Sequence, residues 1–360
     1  ERGSGWAREQ VGVRVTGPGS GTAQIRPSLA PSFPQSLSPS LPVPLILSFV
    51  QLLLLILPVF AVIAVGVLVR RVHWIEGEAE TSLIRLVVNV CYPCLIFESV
   101  AANPALREPG NVILPPLVGF GVTWAAIRAG LLVARGIGLH VGSGLRTFAL
   151  AVGISNYGFL PIPIMGSIWG PESLAVLMVH NVGVEAAIWT VGLLTLSGES
   201  LRDGWRRLLS PIVITLGVAI ACNLAGVTPH LPKVLLDTVH ALAVCSIPLG
   251  LVMTGVSLAG FVDRPRELFH ARVSVAAMVF RLGLMPIALI LLAKYLPCSV
   301  DLKRVILVQG AMPVAMASVM IARLYGGQPQ TAAQIVLGTT AAGLLTIPLW
   351  IQAGIAWLGV

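Results

Sequence analysis

Apolar runs follow one another from residue 44 to the end of the chain, at about 44–69, 82–102, 111–134, 147–168, 172–196, 211–228, 234–260, 272–296, 303–323 and 331–358. A helix of about twenty apolar residues crosses a hydrocarbon core of about 30 Å. The pattern therefore predicts an all-α integral membrane protein with about ten crossings. Residues 1–43 are rich in Gly, Pro, Ser and Arg and have no apolar period, so they are expected to be a disordered N-terminal extension. The expected organisation beyond them is a first five-helix unit over 44–196, a cytoplasmic linker over 197–210 and a second five-helix unit over 211–360.

Composition agrees with hydrocarbon as the solvent, because 56% of the 360 residues are hydrophobic and 11% charged, against roughly 25% charged in a soluble domain. Many of the prolines and glycines stand inside the apolar runs, where neighbouring helices and waters can satisfy the freed backbone groups. The net charge of +8 is spread between the runs, which argues against nucleic acid as a partner. Loops alternate instead: 11 Lys and Arg fall in one set (Arg70, Arg71, Arg135, Arg146, Arg202, Arg206, Arg207, Arg264, Arg266, Arg272, Arg323) and five in the other (Arg107, Lys233, Lys294, Lys303, Arg304). The richer set is expected in the cytoplasm, which places both termini outside a plasma or inner membrane. Cys91 and Cys94 form a C-x-x-C inside a span without partner ligands, and no metal or redox site is expected.

The second half echoes the first at a spacing of 155 or 156 residues. Pro93 in Cys91-Tyr92-Pro93-Cys94 corresponds to Pro248, Trp169-Gly170 to Tyr325-Gly326, and Gly183 to Gly338. An odd number of spans per half makes the two repeats inverted, an architecture with which many transporters build two related gates around a midplane site.

Two matching spans carry helix breakers. The fourth run holds Asn156-Tyr157-Gly158-Phe159-Leu160-Pro161-Ile162-Pro163 and the ninth holds Gln309-Gly310-Ala311-Met312-Pro313. Proline in a helix interior costs about 3 kcal/mol, so both helices should be interrupted. Breaks in corresponding spans point partially positive half-helix ends at the midplane, which suits an anionic substrate. The bland reading is a pair of proline kinks.

These motifs, with Trp169-Gly170, Met312-Pro313 ahead of Ala322-Arg323-Leu324-Tyr325-Gly326-Gly327, and Pro348, resemble the auxin efflux carrier family, which also holds malonate- and malate-type permeases. The resemblance covers about residues 45 to 358. It implies two inverted five-helix repeats with broken, crossing helices 4 and 9, as in a sodium/proton-antiporter-like fold, and a transport part that moves as an elevator. It also implies that Asn156, Pro161 and Pro313 lie at the crossover. Plant members carry asparagine in the second crossover where this chain has Ala311 and Met312, which points away from auxin itself.

The expected substrate site comprises Asn156, Tyr157, Gly158, Pro161, Pro163, Met312, Pro313 and Asn89, the last about one turn before the Pro93 break. Glu185 is a mid-span carboxylate, costly enough in a bilayer to suggest a function, and is a candidate to bind a coupling proton. His180 and Asn181 lie a turn above it; His180 is a candidate for the same polar cavity or for a packing role. Arg281 is expected to snorkel toward the cytoplasmic face, with neutralisation of a substrate carboxylate as the alternative.

Together these residues predict a secondary active transporter of a small organic anion, such as a dicarboxylate or an auxin-like carboxylate, and not an enzyme. No cofactor is expected beyond coupling to H+ or Na+, and the expected partners are the anion, the bilayer and, as a candidate assembly, a second copy in a homodimer. The alternatives are a sodium-coupled carrier of bile-acid type and a membrane sensor that uses the carrier fold. An antiporter would want paired midplane aspartates, and Asp203, Asp237, Asp263 and Asp301 all sit at run edges or in loops. An intramembrane protease would need a facing nucleophile and base, and nothing in the sequence pairs Ser155 with His180.

Overall fold

The computed structural model describes residues 47–75, 77–197, 210–262 and 270–360. The expected extension over 1–43 and nearly all of the linker over 197–210 lie outside these residues, as do Arg202, Arg206, Arg207, Arg264 and Arg266.

Among the described residues, seven helices are long and apolar enough to cross a membrane: α1 (Phe49–Arg71), α2 (Gly77–Val100), α3 (Gly110–Gly136), α6 (Pro171–Leu196), α8 (Lys233–Phe261), α9 (Ala271–Tyr295) and α12 (Pro329–Leu358). A shorter apolar helix, α7 (Pro211–Ala225), is about 22 Å long at 1.5 Å per residue. The fourth and ninth runs are each two pieces, α4 (Leu145–Gly153) with α5 (Pro161–Trp169), and α10 (Val300–Ala311) with α11 (Ala317–Leu324). The starts have local causes: Ser48 and Gln51 form a capping box at α1, and the Ser210 and Ser299 hydroxyls accept from Val213 and Leu302 in the first turns of α7 and α10. Proline opens α5, α6, α7 and α12, where the missing N–H has no intrahelical partner to lose.

Pro93 does not break α2. The helix widens into a π turn over Val87–Cys91 and continues, so the carbonyl that the proline cannot satisfy is absorbed by the wider winding. Similar π turns interrupt α6 at Ile188–Gly192 and α9 at Val279–Leu284. Each inserts a residue into a turn and re-aims the side chains that follow.

The packing falls into two groups. In one, α1 lies on α8 and α2 lies on both α7 and α8; in the other, α3 packs on α4 and α6, α9 on α10 and α12, and α10 on α6; α1 also packs on α12 and joins the two. Close approach depends on glycine where backbones touch. A methyl group at Gly183 of α6 would stand 1.8 Å from the Pro116 carbonyl oxygen of α3, and methyls at Gly66 and Gly255 would each stand 2.0 Å from a backbone oxygen across the α1–α8 contact.

Gly183→Val should therefore force α3 and α6 apart, lowering the thermal midpoint in detergent by the equivalent of roughly 1–3 kcal/mol or more. Gly217→Ala, with nothing within 4 Å of the added carbon, should melt at or above the wild-type temperature. Equal midpoints for Gly183→Val and wild type would show that the helices can separate at little cost.

Candidate functional site at the paired helix breaks

Both breaks are set by residues that cannot continue a helix. After Gly153, Ile154 turns extended, and α5 restarts at Pro161. After Ala311, Met312 is extended and Pro313 follows, with α11 restarting at Ala317. The two extended stretches pair antiparallel at Ser155 and Val314. Asn156 N–H donates to the Pro313 carbonyl at 2.7 Å, and Ala315 N–H donates to the Ile154 carbonyl at 3.0 Å. Val314 N–H donates to Thr339 Oγ1 of α12 at 3.2 Å. Backbone that a helix would have satisfied internally is thus satisfied by the other break.

Side chains extend this link on either side. Arg281, beside the crossing at the π turn of α9, is 1% exposed. Its Nε donates to the Met312 carbonyl at 2.8 Å and its Nη2 to the Gln309 carbonyl at 2.7 Å, so it caps the C-terminal end of α10. It does not snorkel to the interface, because two carbonyls freed by the second break offer closer partners. Among the described residues no carboxylate pairs with it.

A chain of hydrogen bonds runs on from the same turn. Ser155 Oγ donates to Gln309 Oε1 at 3.1 Å, Gln309 Nε2 to Asn181 Oδ1 at 3.1 Å, and Asn181 Nδ2 to the Tyr157 carbonyl at 2.8 Å. The Tyr157 hydroxyl then donates to Glu185 Oε1 at 2.6 Å, and Trp189 Nε1 donates to Glu185 Oε2 at 2.8 Å. Both oxygens of this buried carboxylate are occupied. His180 Nδ1 lies 3.5 Å from Asn181 Oδ1, and its ring faces a gap of about 10 Å3 beside Arg281 and Ser155.

In front of the crossing is a cavity of about 320 Å3. Asn156, Tyr157, Gly158 and Phe159 line it from the first break, Ala315, Met316 and Ala317 from the second, and Glu185 and Trp189 from α6. Its other wall belongs to α2 and α8, including Tyr92, Gly250 and Ser257. The Phe159 ring stands edge-on to Tyr92 at 5.4 Å and lies against Gly250, where a methyl would meet it at 2.3 Å. Among the described residues the Asn156 amide has no hydrogen-bond partner, so a mostly apolar space holds one unpaired amide, one engaged carboxylate and the N-terminal end of α11.

The residues expected at a substrate site separate into three sets. Asn156, Tyr157, Gly158 and Glu185 line the cavity; Pro161, Met312 and Pro313 are buried in the crossing behind it; Pro163 is half-buried in the first turn of α5. His180 sits behind the crossing and not in the cavity. Asn89 is exposed on the outer side of the π turn, which presents Val87, Val88 and Tyr92 instead. Sequence reasoning missed Trp189, Phe159 and Gln309 as parts of the site, and the i, i+4 spacing of Glu185 and Trp189 was the available signal for the first of these.

An all-helical, multi-pass membrane protein with a cavity at two paired helix breaks has the form of a membrane transporter. The chain belongs to the membrane transport protein family, whose model matches residues 52–203 and 200–351, and with it to the auxin efflux carriers that its motifs resemble. It is 24% identical over 307 residues to an uncharacterized transporter of Methanocaldococcus jannaschii, covering 82% of this chain and 96% of that protein. Another uncharacterized transporter, from Methanothermobacter thermautotrophicus, is 25% identical with the same coverage. The uncharacterized transporter YfdV of Escherichia coli is 23% identical over 314 residues, 82% of this chain and 95% of its own length. Family membership implies carriage and not covalent chemistry.

Arg281→Met keeps most of the side-chain length but leaves the Gln309 and Met312 carbonyls without donors, a loss of about 1–3 kcal/mol for each orphaned group. Its thermal midpoint should fall well below that of wild type, and Arg281→Lys should recover part of the difference. A methionine variant as stable as wild type would show that the guanidinium does not hold the second break.

Proposed function

We propose that this protein is a proton-coupled secondary transporter of a small organic anion, loaded in the cavity in front of the crossed helix breaks. The observation that carries this reading is that the α11 N-terminal end, at Met316 and Ala317, opens into a cavity that also holds the unpaired Asn156 amide. Half-helix N-termini carry partial positive charge, and an amide can donate to a carboxylate. The apolar remainder of the wall suits a compact carbon skeleton, and a dicarboxylate of malonate or malate size is the substrate class we favour.

Proton coupling follows from Glu185. A carboxylate in the same apolar cavity as an anion suffers like-charge repulsion of the order of a few kcal/mol at about 4 Å, so anion binding and proton uptake at Glu185 favour one another. The sodium-coupled alternative needs several free carbonyls at an unwound helix, and Arg281 takes two of those at the second break, Gln309 and Met312.

In this reading α7 and the two broken pairs also cross the membrane, giving ten crossings in two inverted repeats, 44–196 and 211–360, with both termini outside. Packing supports the symmetry. The contact of α1 with α8 has its counterpart in α7 with α2, that of α3 with α6 in α9 with α12, and that of α3 with α4 in α9 with α10. The cavity lies between the group of α1, α2, α7 and α8 and the group that carries the breaks, which is where an elevator would slide.

The test is uptake of labelled malonate, malate and indole-acetate into proteoliposomes under separate proton and sodium gradients. One anion should accumulate with the proton gradient, and Asn156→Ala should reduce its uptake at least tenfold. Glu185→Gln should abolish the response to the proton gradient while leaving exchange of anion across the membrane. No anion moving under either gradient with folded protein would overturn the anion reading, and drive by sodium alone would overturn the coupling.

A further inference from the structure

A second cavity, of about 510 Å3, lies on the arginine-rich side of the spans, between α3, the start of α4 and the end of α6. Arg128 and Arg135 reach it from α3, where seven residues, or two turns, put them on one face. Arg146 reaches it from the first turn of α4. All three are exposed, and no acidic residue or histidine lines the cavity among the described residues. The Arg146 guanidinium makes a contact of 3.5 Å to the Leu196 carbonyl, and its other donors have no partner among the described residues.

The rest of the wall is apolar. Trp124, 48% exposed, and Leu131 continue the same face of α3, and Leu194, 37% exposed, stands opposite on α6. From Trp124 to Arg135 this face extends about 16 Å along the helix, and apolar and cationic side chains alternate on it as Trp124, Arg128, Leu131 and Arg135. A free anion would use the arginines alone. A phospholipid presents a phosphate to the arginines and an acyl chain to the hydrocarbon between and beyond them.

We propose that this groove is a binding site for an anionic phospholipid, whose phosphate takes hydrogen bonds from Arg128, Arg135 and Arg146 and whose acyl chain lies along Trp124, Leu131 and Leu194. Three guanidinium groups with no counter-charge among the described residues repel one another, and a phosphate that accepts from them removes that repulsion as it binds. The site does not depend on the transported substrate. It does touch the transport machinery, because α4 leads from Arg146 to the first break at Gly153 and α6 carries Glu185.

The full-length protein in detergent is titrated with phosphatidylglycerol, with phosphatidylcholine of the same chains, and with inorganic phosphate, and binding is read by native mass spectrometry and by the thermal midpoint. Phosphatidylglycerol should bind at least tenfold more tightly than phosphatidylcholine and raise the midpoint, and inorganic phosphate should do neither. Each of the single variants Arg128→Gln, Arg135→Gln and Arg146→Gln should weaken phosphatidylglycerol about fivefold, and Arg107→Gln, on the opposite side of the spans, should leave it unchanged. The proposal is overturned if both lipids bind alike, if inorganic phosphate alone reproduces the stabilisation, or if the three variants bind phosphatidylglycerol as wild type does.

Discussion

Two backbone hydrogen bonds, Asn156 to Pro313 and Ala315 to Ile154, are the constraint on which the site depends. In hydrocarbon no water is available to a broken helix, and each unsatisfied amide or carbonyl costs several kcal/mol. One interrupted span would be hard to sustain alone. Two that pair antiparallel at Ser155 and Val314 satisfy one another, so neither break can be understood without the other. Three further groups are met individually, by Thr339 at the Val314 N–H and by Arg281 at the Gln309 and Met312 carbonyls.

That pairing dictates what surrounds it. Eight or nine residues of α4, α5 and α11 cannot bury themselves, so they lean on continuous helices: α4 on α3 and α12, α5 on α6, and α11 on α12. Close contact between α3 and α6 in turn requires Gly183 and Gly119, whose positions face backbone oxygens. The helices α2, α7 and α8 form the other wall of the cavity, and α1, which lies on α8, also packs on α12 of this scaffold. The cavity lies where the helices that carry and support the crossing meet α2, α7 and α8.

Much of this was legible along the chain, because hydrophobic periodicity and proline act locally. The run boundaries and the stops before Pro161 and at Pro313 depend on nearest neighbours in sequence. What failed was reading one proline as another. Pro93 has the same chemistry as Pro161, yet α2 absorbs it in a π turn because α7 and α8 hold the helix on both sides. That extra residue turned Asn89 outward and Tyr92 inward. Arg281 was misread for a related reason: its partners are carbonyls 28 and 31 residues away, freed by a break that a single-helix argument does not connect to α9. The network through Gln309 and Asn181 is likewise non-local, joining residues 128 positions apart.

The same network suggests why a buried cation and a buried carboxylate coexist without touching. Arg281 ends the chain of contacts at the Gln309 carbonyl, and Glu185 ends it through Tyr157, with Gln309, Asn181 and the first break between them. A direct ion pair would neutralise both and leave the cavity with no charge to respond to an anion or a proton. Separation gives the two groups different roles. The guanidinium, behind the crossing, holds the carbonyls of the second break, while the carboxylate faces the cavity in front of it. Tyr157 belongs to both, since its carbonyl accepts from Asn181 behind the crossing and its hydroxyl donates to Glu185 in front. A change of charge at Glu185 therefore acts first on the hydrogen bond of Tyr157, a residue of the first break, and through it on the backbone pairing that positions both half-helix ends.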